Sequence, residues 1–133
     1  MFRLRSPLVI VLLAVVAAGC AVAPTTSASP LAGSRWSFTM IDGAKPVSAD
    51  ARLEFDADNA SANVGCNGMG GPWRLEGKRL FVGPLVSTEM WCDGMMEQER
   101  TVKTLLSATP EVSISGGRMT LRTGGHSAEL VRQ

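Results

Sequence analysis

The chain has 133 residues, with 13 Lys and Arg against 12 Asp and Glu, a formal net charge of +1. That length suits one domain, and the near balance of charge leaves no electrostatic footprint for nucleic acid. A single His and no Tyr leave little material for a titrating active site, and 19% charged with 45% hydrophobic residues argue for a folded rather than a disordered chain.

Arg3 and Arg5 precede an uninterrupted apolar run, LVIVLLAVVAA, from Leu8 to Ala18. A basic start, a short apolar run and an end in small residues form a secretory signal, too short to span a bilayer comfortably. Without Arg3 and Arg5 the formal charge becomes −1. The run ends at Ala17-Ala18-Gly19-Cys20, which resembles a bacterial lipobox, with Ala17 where Leu is usual. The resemblance implies that residues 1–19 are a lipoprotein signal and that Cys20 becomes the lipidated first residue. An ordinary cleaved signal is the alternative. Several acyl chains would hold the protein firmly, at roughly 0.8 kcal/mol per buried CH₂. Ala21 rather than Asp after the cysteine implies, by resemblance to lipoprotein sorting, the outer membrane, facing the periplasm. Residues 20–30 then read as lipidated Cys and flexible tether, and 31–133 as the folded domain.

Arg35–Ile41 alternates with Trp36, Phe38 and Met40 on one side, which predicts a strand with one buried face. Asp42-Gly43 turns, and Ala51–Asp56 alternates again with Leu53 and Phe55 inward. Asp58-Asn59 marks a hairpin, and Ala60–Gly65 a short strand running into a glycine turn, Gly65-Cys-Asn-Gly-Met-Gly-Gly71. Glycines that dense mark positive φ or close backbone approach. Trp73 and Leu75, then Leu80 and Val82, give two further strands, and Leu85–Thr88 a short extended piece. From Asp93 to Ala108 the period changes: Met95, Val102, Leu105 and Leu106 predict an amphipathic helix with Asp93 as N-cap and Pro110 past its end. Val112 and Ile114, Met119 and Leu121, and Leu130 mark three closing strands separated by glycine turns. Short strands with glycine turns and one late helix predict an α+β domain built on a sandwich or barrel.

The ordered pieces Leu31-Ala-Gly-Ser-Arg-Trp36, Leu53-Glu-Phe-Asp56, Gly65–Gly71, Gly83-Pro-Leu-Val-Ser-Thr-Glu-Met-Trp-Cys92, Glu99, Leu105 and Gly117-Arg-Met-Thr-Leu121 resemble the META/HslJ domain family over about residues 30–132. The resemblance implies a mostly antiparallel, partly open β-barrel of about eight short strands with one helix packed across it. It also implies a bacterial envelope protein of the stress-response kind, similar in shape to small lipoproteins that pilot secretion channels. No catalytic residue is established for such domains, so none carries over.

Cys66 and Cys92 are the remaining cysteines once Cys20 anchors. A redox or metal-ligand pair is one reading. A structural disulfide closing about 27 residues, worth roughly 3–4 kcal/mol, is the better one, since no CxxC is present. His126, between Gly-Gly and Ser, reads as an exposed turn residue, and metal-ligand spacing is missing. Ser87, Thr88 and Glu89 lack a nucleophile elbow, so Thr88 reads as a buried hydroxyl bridging a turn. The glycines of 65–71 lack the Lys-Ser/Thr of a phosphate loop, and Asn67 reads as bonding its own turn. Met69, Met90, Trp91, Met95 and Met96 could line an adaptable apolar groove or fill the gap between helix and sheet. The expectation is thus a protein without enzymatic chemistry, metal or cofactor. It is membrane-bound through Cys20 and binds another envelope or secretion protein. The alternative is a small-ligand or lipid-binding module with an apolar cleft beside the helix.

Overall fold

The computed structural model describes residues 18–21 and 29–133. Most of the leader read over 1–19 and of the tether read over 20–30 lies outside the described residues; Cys20, inside them, is exposed. The chain forms β1 (Arg35–Ile41), β2 (Arg52–Phe55), β3 (Asn59–Asn63), β4 (Gly68–Glu76), β5 (Arg79–Val82) and β6 (Val86–Ser87). Helix α1 (Met96–Ser107) follows, then β7 (Glu111–Ser115), β8 (Arg118–Arg122) and β9 (Ser127–Arg132).

The strands are hydrogen-bonded in the order β3-β2-β1-β9-β8-β7-β5-β4-β6, and β3 also pairs with β4. Eight antiparallel strands therefore close a ring, and β6 is attached to it along β4. This is the expected α+β barrel with one helix. Its interior is filled by the inward side of each alternation, including Trp36, Leu53, Phe55, Leu80, Leu121 and Leu130, joined by Val102, Leu105 and Leu106 of α1. Burying such faces is the main favourable contribution to folding, about 1.5–3 kcal/mol for each large apolar side chain.

The ring is thinnest between β5 and β7. They share one residue pair, Arg79 with Glu111, flanked by Leu80 N–H to Pro110 O at 3.0 Å and Val112 N–H to Lys78 O at 2.7 Å. Beyond Leu80 the chain supplies α1 instead of a strand, and α1 packs against β5 and β1. β6 carries on along β4 after the cis Gly83-Pro84 bond.

Three details differ from the sequence reading. The register of β1 against β9 shifts between Phe38 and Met40, so Ile41 is buried where Met40 was expected. A bulge adds a residue and reverses the inward phase. The glycines 68–71 lie within β4, not in a turn. A Cβ on Gly70 would stand 2.8 Å from Ala60 O, and one on Gly71 2.5 Å from Pro84 O. These glycines let neighbouring backbone approach. Finally, α1 starts at Met96 with Met95 at the cap position and no side-chain cap; Asp93 falls in the turn before it.

Direction matters for the site. The antiparallel pairings make β1, β3 and β6 run the same way. The segments after them, 42–51, 64–67 and 88–95, therefore share one end of the barrel, called distal here. The segment 29–34, through which the domain is entered, lies at the opposite end with the turn 56–58.

Candidate functional site

The distal end is built around Asn67, which is 1% exposed. Its backbone N–H donates to Glu99 Oε2 at 2.9 Å, and Nδ2 donates to Glu99 Oε1 at 2.7 Å and to Met90 O at 2.9 Å. Its Oδ1 accepts from Thr88 Oγ1 and from Met90 N–H, both at 2.8 Å. Every hydrogen-bonding position of the side-chain amide is thereby used. Glu99, 7% exposed on α1, presents a carboxylate that would be costly to bury unbonded. Both its oxygens receive N–H groups of the one asparagine. A single residue thus ties the start of β4, the 88–92 loop and the helix together.

Cys66 and Cys92 form a disulfide with a Cα–Cα distance of 5.8 Å, within the ordinary range. The pair clamps the same loop beside Asn67. The loop then joins α1 through Met95 N–H to Cys92 O at 3.2 Å and Cys92 N–H to Met96 Sδ at 3.4 Å. Gly65 takes φ +140°, and a Cβ there would meet Met95 Sδ at 2.9 Å, so Met95 seats on glycine.

The five Met and Trp residues singled out from the sequence divide. Met69 is 3% exposed and belongs to the barrel core, so its side chain lines no groove beside the helix. The inward phase of β4 places it there. Met95 is half-buried against Gly65. Met90 and Trp91 stand 58% and 75% exposed, and with Met96 they line a cleft between the 87–91 segment and α1. The cleft holds about 330 Å³ and is also bounded by Glu89, Arg100 and Lys103.

Other expectations are sharpened or corrected. Thr88 does bridge, but from an exposed position. Asn67 bonds across to Met90 and Glu99 instead of within its own turn. His126 is about one-third exposed and paired, its Nδ1 lying 2.7 Å from Asp42 Oδ2. The Asp42 carboxyl is held below its usual range, chiefly by the Ser127 N–H and further by His126. Among the described residues, no group of three or more His, Cys, Asp or Glu side chains is placed to hold a metal ion. Glu99 was missed as a site residue, because a charge in an amphipathic helix reads as solvent-facing. Its place among the motif residues of the resemblance was the available signal.

The sequence model of the META domain matches residues 29–133. The chain belongs to the META domain family. Two solved structures are similar in fold. One, an NMR structure, aligns with TM-score 0.67 and 23% identity over 76% of this chain and 90% of its own. The other, an NMR structure of a protein from Burkholderia xenovorans, aligns with TM-score 0.65 and 23% identity over 77% and 83%. No curated protein matches the chain. In this META domain the exposed Trp91 sits on the distal loop.

Proposed function

We propose that this META domain is a non-enzymatic, lipid-anchored envelope protein of the HslJ type. It serves a stress-response or secretion-accessory role by binding another envelope protein through its distal end. The observation that carries the reading is Trp91, 75% exposed beside Met90 at 58%, on a loop fixed by a disulfide and by Asn67. An exposed aromatic on a rigid support suits a protein interface: Trp is enriched among interface residues that carry binding energy. A pre-ordered loop also loses little entropy on binding.

The direction of the strands supports the same reading. A chain anchored at Cys20 would reach the domain at the end opposite Trp91, which leaves the aromatic free for proteins of the periplasm. Anchoring would raise the effective concentration of the domain toward partners held near that membrane. The small-ligand alternative calls for an enclosed apolar cavity, whereas the cleft beside α1 carries Glu89, Arg100 and Lys103.

A photo-crosslinking residue at exposed position 93, two residues from Trp91, introduced into the full chain in intact cells, tests this. One reproducible envelope protein should be captured, and the same residue at exposed position 57 on the opposite end should not capture it. Capture of lipid or small molecules alone would overturn the reading. Cys20→Ala should move the protein out of the membrane fraction; unchanged fractionation would sink the anchor.

A further inference from the structure

The unpaired edge of β6 is a feature of the distal end that the Trp91 loop does not explain. Thr88 N–H donates to Gly68 O at 3.1 Å, and Met69 stands opposite Ser87. Bonded and non-bonded pairs alternate along an antiparallel ladder. Ser87 is therefore the non-bonded residue, and its backbone N–H and C=O point away from β4. No strand among the described residues pairs with that side of β6, and Ser87 lines the cleft whose other wall is α1.

That wall is basic where it faces Ser87. Lys103 Nζ donates to Ser87 Oγ across the cleft at 3.1 Å. Arg100 lies one turn before Lys103, and both are exposed. Neither forms a salt bridge among the described residues. Glu99, on the same helix, turns both carboxylate oxygens inward to Asn67, which leaves Glu89 as the acid on the solvent side. The cleft thus combines two cations without acid partners and an exposed indole, beside the strand-edge donor and acceptor of Ser87.

We infer that this cleft takes an extended, acidic segment of the partner protein as an added β-strand against β6. Ser87 N–H and C=O form the backbone bonds, and a carboxylate of the segment binds Arg100 and Lys103. The inference rests on the partner-binding reading above and names the chemistry of the partner. Strand addition draws affinity from backbone hydrogen bonds, while side-chain pockets select the sequence. Lys103 loses only its bond to a hydroxyl and gains a charged acceptor, which makes a stronger, charge-assisted bond.

The test uses the full chain in detergent and a fluorescent peptide of alternating Glu and Val, read by polarisation. The Glu-Val peptide should bind at least ~10-fold more tightly than a Lys-Val peptide, and Arg100→Glu with Lys103→Glu should reverse the preference. N-methylation of alternate peptide nitrogens should abolish binding, because it removes the backbone donors and blocks close approach while leaving the charges. Equal binding of the two peptides, or binding indifferent to N-methylation, would overturn strand addition. So would finding no binding while crosslinking at position 93 still captures a protein; in that case the partner-binding reading stands and the strand-addition inference alone falls.

Discussion

Trp36 begins the barrel at the end where the chain enters it, wholly buried, and Trp91 stands at the distal end, 75% exposed. Each depends on buried polar groups nearby. Trp36 Nε1 donates to Ser34 Oγ at 2.7 Å, and the Ser34 hydroxyl donates in turn to Leu31 O. Beneath Trp91, Asn67 and Glu99 satisfy one another and hold the loop through Met90 and Thr88. No buried side-chain nitrogen or oxygen among the described residues lacks a partner. At one end, then, a serine makes it possible to bury an indole. At the other, an asparagine and a glutamate are buried so that an indole can be held out. A large exposed apolar side chain gains nothing for folding, and its rigid support is what the proposed partner contact would use.

The comparison can be broken most severely at the entry end. Trp36→Ala should destabilise the domain by about 3–5 kcal/mol, the usual cost of emptying a large core site, measured by urea unfolding. Asn67→Asp comes next. It sets a second carboxylate where Nδ2 now lies 2.7 Å from Glu99 Oε1, and like charges that close raise the pKa of one of them. At neutral pH the loss should be about 3 kcal/mol, the scale of an uncompensated buried charge. Protonation should relieve it, so this variant should recover stability relative to wild type as pH falls from 7 toward 5. A variant equally destabilised at both pH values would show that the charge pair is not the cause. Cys66→Ser follows, with an upper limit of about 3–4 kcal/mol set by loop closure. The same loss should appear in the native protein on reduction with a dithiol; an unchanged melting temperature would mean that the Asn67 network alone fixes the loop.

The two ends also differ in how well the sequence announces them. Leu53 and Phe55, Met119 and Leu121 are legible because a period of two with one apolar face has few other meanings. Trp36 belongs to the same class. The β1 bulge is silent, since no glycine marks it, and it moves Ile41 rather than Met40 into the core. The glycines 68–71 carry a signal with two meanings, turn or close approach; only the neighbours Ala60 and Pro84 decide between them. The distal site is harder still. Glu99 and Asn67 are 32 residues apart, and nothing local to either says that they meet. Cys66 and Cys92 could be paired by counting cysteines, but the polar bridge beside them is a property of the fold. Met69 and Met90 look alike in sequence, and the strand phase of one alone separates core from surface.

Trp91→Ala should have the smallest effect on folding and the largest on partner capture. An exposed side chain away from caps and buried networks changes stability by no more than about 0.5 kcal/mol, so urea unfolding should overlay that of the native domain. Loss of an aromatic anchor at an interface costs about 2 kcal/mol or more, which should reduce co-purification of the crosslinked envelope protein by at least about tenfold. The opposite pattern, a clear loss of stability with capture unchanged, would mean that Trp91 packs on its own loop in solution. The distal end would then bury its indole as the entry end does, and the contrast between Trp36 and Trp91 would disappear.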